Sequence, residues 1–159
     1  MDILQEAAKF YYFQEQYDSA YVYYSKYVRV KQQLNLDFYP QEDLKIGLVY
    51  ERMGFASEAK NFYDAYALYC EKDKSIYQPA SLALKYVHEG KVDLAIEQLK
   101  EFSTKNNFQY WLLLFFEEDP LVKSLKQHPE YHSILRKIDT KFWEKHRQDK
   151  QMLGDLVLI

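Results

Sequence analysis

The sequence predicts an all-α fold in which about three helical hairpins stack and further C-terminal helices close the stack. One small residue recurs in the same local frame at steps of 39 and 36 residues, and a period in this range is typical of stacked helical hairpins. Only four Gly and four Pro occur among 159 residues, which is few for a β-rich protein with many turns. The chain is long enough to bury a core without staples.

Each recurring small residue is an alanine near the start of the second helix of a hairpin: Ala20, Ala59 and Ala95. A Tyr precedes each alanine by nine residues, a bulky residue follows after four, and an aromatic follows after seven. In chain order these residues are Tyr11, Tyr24, Tyr27, Tyr50, Tyr63, Tyr66, Tyr86, Leu99 and Phe102. The spacing predicts three hairpins that pair residues 3–14 with 17–33, 40–53 with 56–71, and 77–89 with 92–105.

The first helix of each hairpin has its own small position, at Ala8, Gly47 and Ala83. We expect these residues to let the two helices of a hairpin approach closely. Gly54 and Gly90 are expected to cap the second and third of these first helices.

This frame resembles the tetratricopeptide repeat. The shared features are the small residue in the first helix, a Tyr three residues later, Gly at the turn, Ala early in the second helix and a bulky residue four positions on. The match covers residues 4–105. It departs from the family pattern at the first turn, where Glu15 and Gln16 replace glycine, and at Leu4, Asp43 and Pro79, where an aromatic is usual. The resemblance implies a right-handed α-solenoid that binds other proteins.

The remaining residues, 107–159, are predicted to cap the repeats of residues 1–106 within one continuous domain. We expect a short, nearly all-buried helix from Phe108 to Phe116 and a longer one over about 129–150. An Asp-Pro at position 119, a Leu soon after it and a second Pro at position 129 resemble the segment that closes tetratricopeptide arrays in bacterial signalling proteins and transcription regulators. That resemblance implies the regulatory or docking part of such a protein.

The resemblance also implies a peptide-binding groove, because the first helices of tetratricopeptide hairpins line a concave surface. Its candidate residues are Gln5, Lys9, Tyr12, Leu44, Leu48, Glu51, Tyr77, Leu84 and Val87. An extended or helical peptide with an acidic group and apolar anchors would suit this lining. The alternative is that Leu44, Leu48, Leu84 and Val87 are covered by the C-terminal region of the chain itself.

Charge and composition favour a non-catalytic protein-interaction scaffold. The net charge is −3, whereas phosphate binding needs clustered Lys and Arg. The charge is uneven, with 13 basic and 19 acidic groups in residues 1–119 and 8 basic and 4 acidic groups in residues 120–150. The alternatives are a helical-repeat nucleic-acid binder or a small enzyme-associated subunit.

We expect no catalytic residues, cofactor or metal. His128 and His132 are four residues apart, but Pro129 places His128 at or before the start of the helix, so the two imidazoles need not share one face. Cys70 is the single cysteine, so thiolates cannot build a zinc site and a reducing compartment is favoured.

The expected location is cytoplasmic. No stretch of 18 apolar residues occurs, as a membrane-spanning helix would need, and the first residues lack the basic and apolar regions of a signal peptide. At the other end, we expect Gly154 to end the last helix. The apolar tail should then fold back near Phe142 or dock on a neighbouring molecule as a weak homodimer, through Leu156, Val157, Leu158 and Ile159.

Overall fold

The computed structural model describes residues 2–36 and 39–157, and these residues form helices, turns and loops without a strand. The predicted all-α class is therefore confirmed. None of the helices in these ranges has the length and apolar character needed to cross a membrane. The α-helices are α1 (Asp2–Phe13), α2 (Tyr17–Gln33), α3 (Asp43–Arg52), α4 (Ala56–Lys72), α5 (Gln78–His88), α6 (Val92–Phe102), α7 (Trp111–Glu118) and α8 (Tyr131–Val157). Short 3₁₀ helices cover Pro40–Glu42, Pro120–Lys123 and Leu125–Gln127.

Three helical hairpins follow the predicted frame: α1 packs on α2, α3 on α4, and α5 on α6. The frame alanines Ala20, Ala59 and Ala95 are fully buried within these hairpins. The first-helix positions Ala8 and Ala83 are buried in the same way. The sequence frame therefore marks the contact line inside each hairpin.

The turns of the three hairpins share one geometry. Gly54 and Gly90 have φ of +88° and +72°, and Glu15 has φ of +57° at the equivalent place. The next N–H donates to the carbonyl of the frame Tyr in each hairpin, at 2.8 to 2.9 Å. This is the Schellman arrangement that commonly ends an α-helix, so the frame Tyr residues mark the last turn of each first helix. The donor–acceptor pairs are Gln16 to Tyr11, Phe55 to Tyr50, and Lys91 to Tyr86.

The chain divides into two compact units, Met1–Asp73 and Lys74–Ile159. The first unit holds α1 to α4 around a tyrosine-rich core. Its buried cluster consists of Ala8, Tyr12, Ala20, Tyr24, Tyr27, Val28, Ile46, Val49, Tyr50 and Ala59.

The second unit joins the third hairpin to the C-terminal helices through one apolar core. Residues of α5 and α6 pack there with α7, α8 and the two 3₁₀ helices between them, and Pro120–Lys123 lies against α5. The side chain of Asp119 is buried and accepts a hydrogen bond from the N–H of Leu121 at 3.0 Å, which caps that 3₁₀ helix. The predicted domain division after residue 106 stays a prediction.

Helix α7 differs from the prediction of a nearly all-buried helix over Phe108–Phe116. It begins at Trp111, and Phe108 is buried in the loop before it. Two residues of the helix, Leu113 and Phe116, are buried. A helix of this length buries one face only, so its other apolar side chains face solvent. Trp111, Leu114 and Phe115 are 50%, 51% and 45% exposed.

Helix α8 also differs from its prediction, because it continues to Val157 and Gly154 does not end it. A glycine ends a helix when its backbone becomes left-handed, and Gly154 stays inside the helical run. Leu156 and Val157 continue the helix, so the predicted fold-back near Phe142 is wrong for these residues. Leu158 and Ile159, the rest of the predicted tail contact, lie outside the described residues.

Candidate functional site

The predicted groove residues differ widely in exposure. The buried side chains cannot contact a partner without rearrangement. Gln5, Tyr12, Leu44 and Val87 are buried, Lys9, Leu48, Tyr77 and Leu84 are half-buried, and Glu51 is exposed.

In the first unit, the two charged groove candidates are engaged within the chain. The Nζ atom of Lys9 lies 2.8 Å from the Glu6 carboxylate. The Tyr63 hydroxyl donates a hydrogen bond to the Glu51 carboxylate at 2.7 Å. Leu48 packs against the core cluster. We call the surface of the first unit that carries Lys9, Leu48 and Glu51 the α1/α3 face. Its assignment as a peptide-binding groove stays a prediction.

In the second unit, the three groove candidates contact the shared core. Val87 belongs to the buried cluster, and Tyr77 and Leu84 pack against it. The Tyr77 hydroxyl also accepts a hydrogen bond from the N–H of Gln109 at 3.1 Å. Leu84 and Val87 therefore share a core with residues of the C-terminal helices. The wider alternative, in which the C-terminal region covers Leu44, Leu48, Leu84 and Val87, stays a prediction.

A cavity of about 710 Å³ opens elsewhere in the first unit, between α2 and α4 and above α3. We call it the α2–α4 cleft. None of the nine predicted groove residues lines it. Its lining consists of Tyr21, Ser25, Val28, Arg29, Lys31, Gln32, Asn35, Leu36, Asp43, Ile46, Tyr50, Glu58, Asn61, Phe62 and Ala65.

The floor of the cleft is aromatic at one end. The rings of Tyr21 and Tyr50 meet edge to face with centroids 5.1 Å apart, and Tyr50 meets Phe62 in the same way at 5.1 Å. Phe55 stacks on Tyr21 at 5.2 Å. Rings held by one another in this way give a rigid surface with apolar faces and polar hydroxyl tips.

The walls of the cleft carry opposite charges on the two helices. Arg29 projects from α2 and Glu58 from α4, and both are exposed. Burial, together with Tyr21 and Glu58, raises the pKa of Tyr50 to about 12, and Arg29 opposes this shift. Both charged groups therefore act on the Tyr50 hydroxyl. Within the described residues, the side chains of Arg29, Glu58 and Asn61 form no ion pair or hydrogen bond.

The other end of the cleft is polar and partly buried. The Lys31 Nζ atom lies 3.7 Å from the Asp43 carboxylate. The neighbouring Glu42 is buried, accepts a hydrogen bond from the Tyr24 hydroxyl at 3.1 Å and lies 3.8 Å from the Lys45 Nζ atom. The cleft follows α2 from Tyr21 to Gln32, which is about 16 Å at the α-helical rise.

The sequence prediction missed this cleft because the resemblance directs attention to first helices, whereas the cleft walls are second helices. One signal was present in the sequence. Tyr21, Phe55 and Phe62 are aromatic residues outside the repeat frame. The packing that the frame describes therefore does not explain why aromatic rings occur at these three positions.

The two histidines singled out in the sequence, His128 and His132, belong to the second unit. The Nδ1 atom of His128 accepts a hydrogen bond from the N–H of Glu130 at 3.3 Å, and its Nε2 atom lies 3.7 Å from Asp93. His132 is exposed beside the Tyr131 ring. Within residues 2–36 and 39–157, no group of three or more His, Cys, Asp or Glu residues is placed to hold a metal ion. Cys70 is buried.

Comparisons with models of protein families, with curated proteins and with solved structures find no match to this chain. Function is therefore inferred from the side chains and their geometry.

Proposed function

We propose that this chain is a non-catalytic protein-interaction module of tetratricopeptide-like hairpins whose first unit binds a polypeptide segment in the α2–α4 cleft. The observation that carries the proposal is the cleft itself. It combines an aromatic floor with the polar side chains of Arg29, Glu58 and Asn61, which have no partner within the described residues. Ligand sites commonly combine an apolar surface with a few polar groups of this kind.

The lining favours a polypeptide over a nucleic acid. Arg29 and Lys31 supply positive charge, and Glu58 and Asp43 supply an equal amount of negative charge. A polyanion needs an excess of cations, whereas a peptide backbone presents both donors and acceptors that a lining of mixed charge and amides can satisfy. A length of about 16 Å accommodates about five residues of extended chain.

The repeated geometry of the hairpins supports the wider proposal. The three hairpins share their small contact residues and the Schellman turn that ends each first helix. On this basis we propose that the hairpins form a right-handed solenoid. We further propose a cytoplasmic location and a regulatory or docking role in a bacterial signalling or transcription protein. On this proposal the C-terminal helices cap the third hairpin.

Capture of partners from an extract of the source cells tests the proposal. Replacing Asn61→Trp fills the cleft, and we expect the captured partner to fall at least about tenfold, a change of about 1.4 kcal/mol. The matched control is Lys60→Ala, because Lys60 is the exposed neighbour of Asn61 on α4 and does not line the cleft. The control should capture the partner as the unchanged protein does.

A second pair of substitutions separates the cleft from the predicted groove. Lys9→Glu combined with Glu51→Lys reverses both charges of the α1/α3 face and should leave capture unchanged. If this pair abolishes capture while Asn61→Trp does not, the groove on the first helices is the binding surface and the cleft assignment is wrong. If the captured material disappears after nuclease treatment, the chain is a nucleic-acid binder instead.

A further inference from the structure

The second half of α8 is mostly exposed to solvent. Residues 143–154 are exposed, with the exception of the half-buried Asp149. Met152 and Leu153 are 57% and 63% exposed. These two adjacent apolar side chains are exposed to water, and a partner helix would bury them.

One stripe runs along α8 from the buried half into the exposed half. Leu135, Ile138 and Phe142 lie on the face that packs against the core of the second unit. Continuing at the alternating three- and four-residue steps of a coiled-coil seam, the same stripe reaches Lys145, Asp149 and Met152. This stripe, which we call the seam, is therefore apolar at its two ends and charged in the middle.

An open cavity lies beside this stripe. It has a volume of about 280 Å³ and is bounded by residues 106–108 on one side and by α8 from Lys141 to Asp149 on the other. Phe142 forms part of its apolar wall and packs on the ring of Phe108 at 6.1 Å. The cavity provides space for an apolar side chain from outside the chain.

We propose that a second copy of this chain fills this space, as an antiparallel pair of α8 helices over residues 142–153. In this pair, Lys145 of each copy faces Asp149 of the other. Met152 of each copy enters the cavity beside Phe142 of the other. This proposal is independent of the α2–α4 cleft.

The register follows from the symmetry of the sequence. Lys145 and Asp149 are equally far from Arg147, and so are Phe142 and Met152. An antiparallel pair with its two-fold axis near Arg147 therefore matches opposite charges and apolar side chains at the same time, as a self-complementary interface requires. A parallel pair would bring Lys145 against Lys145 and Asp149 against Asp149, and such like-charge contacts are strongly unfavourable.

Lys145 and Asp149 can pair between the two copies instead of within one copy at little cost in free energy. Within one copy, the Lys145 Nζ atom lies 2.7 Å from the Asp149 carboxylate, and both side chains are 46% exposed. An exposed pair on one helix is weak, and the order with Lys before Asp is the less favourable one. Lys145 and Asp149 therefore give up little stabilisation within one copy when each side chain pairs with the second copy.

Sedimentation equilibrium of the full chain over a range of concentrations tests the proposal. The unchanged protein should dimerise. Lys145→Asp and Asp149→Lys should each raise the dissociation constant at least about tenfold, because each places like charges across the axis. The double variant, Lys145→Asp with Asp149→Lys, should dimerise again, and a mixture of the two single variants should form a heterodimer. Arg147→Asp is the control, because it changes the charge equally and lies off the stripe.

Disulfide cross-linking determines the orientation. His146 flanks the seam next to the axis, so His146→Cys should cross-link to its own copy in an antiparallel pair. Met152→Cys lies on the seam about 7.5 Å along the helix from the axis and should not cross-link to itself in that pair. A parallel pair would instead cross-link at position 152, because seam residues of parallel helices meet their own copies. A monomer at every concentration, dimerisation that single charge reversals leave unchanged, or self-cross-linking at position 152 would overturn the proposal.

Discussion

At the scale of single residues, the first hairpin turn has a side chain where its counterparts have glycine. Glu15 adopts φ of +57°, in the region occupied by Gly54 and Gly90. A β-carbon in this conformation costs about 1–2 kcal/mol. The Schellman hydrogen bond from Gln16 to Tyr11 nevertheless forms at 2.9 Å, so the hairpin tolerates this strain.

We therefore predict that Glu15→Gly stabilises the protein. The gain in unfolding free energy should be about 0.5–1 kcal/mol, since relief of the left-handed strain is partly offset by the greater freedom of glycine in the unfolded chain. Urea unfolding followed by circular dichroism measures it. Glu15→Ala is the control and should change little, and Gly54→Ala should lose about 1 kcal/mol. A loss of stability on Glu15→Gly would contradict this interpretation of the turn.

At the scale of elements, Gly47 fixes the contact between α3 and α4. A β-carbon at Gly47 would lie 2.7 Å from the Tyr63 Cδ1 atom and 3.2 Å from the Ala59 carbonyl oxygen. The Tyr63 ring cannot move freely, because its hydroxyl donates to Glu51 one turn further along α3. The close approach predicted for the small first-helix positions is confirmed here.

Gly47→Ala should therefore destabilise the protein by about 1–3 kcal/mol, the usual cost of overpacking. Gly154→Ala is a matched control, since Gly154 is also inside a helix but a β-carbon there meets nothing within 4 Å. That control should stabilise the helix by up to about 1 kcal/mol. Thermal unfolding of the two variants separates packing from helix propensity. Equal effects of the two substitutions would show that Gly47 is not a contact residue.

The sequence predicted the hairpins well and the remaining helices less well, for physical reasons. The hairpin frame combines a buried face with a turn signal, so the bounds of α2 and α4 agree with prediction within one residue. Gly154 was wrongly expected to end α8, because glycine permits a left-handed backbone without imposing one, and the helix continues to Val157. The cleft arises where α2 and α4 flank α3, and this placement depends on contacts between hairpins that a repeat frame does not encode.

At the scale of the whole molecule, buried tyrosines make the free energy of unfolding depend on pH in the alkaline range. Burial raises the pKa of Tyr27 and Tyr50 in the first unit and of Tyr131 in the second. The Tyr27 and Tyr131 hydroxyls are buried and have no hydrogen-bond partner within the described residues. Each of these groups stays neutral in the folded state at a pH where the unfolded chain already ionises.

The contribution of these tyrosines to stability should therefore be constant well below pH 10, the ordinary pKa of tyrosine, and should fall as the pH rises towards 12, where Tyr50 itself ionises. The sign follows from linkage, since the unfolded state releases these protons first and is favoured as the pH rises. Absorbance at 295 nm and helicity, followed in one titration, should show a delayed class of tyrosines that ionises together with loss of helix. Ionisation of all sixteen tyrosines near pH 10 with helicity intact would contradict the burial described here.

The most direct test of the central proposal, polypeptide binding in the α2–α4 cleft, is site-specific photo-cross-linking. A benzophenone amino acid at Asn61 faces the cleft, and the same group at Lys60 stands next to it on α4 without lining the cleft. In an extract of the source cells, we predict a discrete cross-linked polypeptide from position 61 and none from position 60. Cross-linking from neither position, or equally from both, would contradict the proposed function of the cleft.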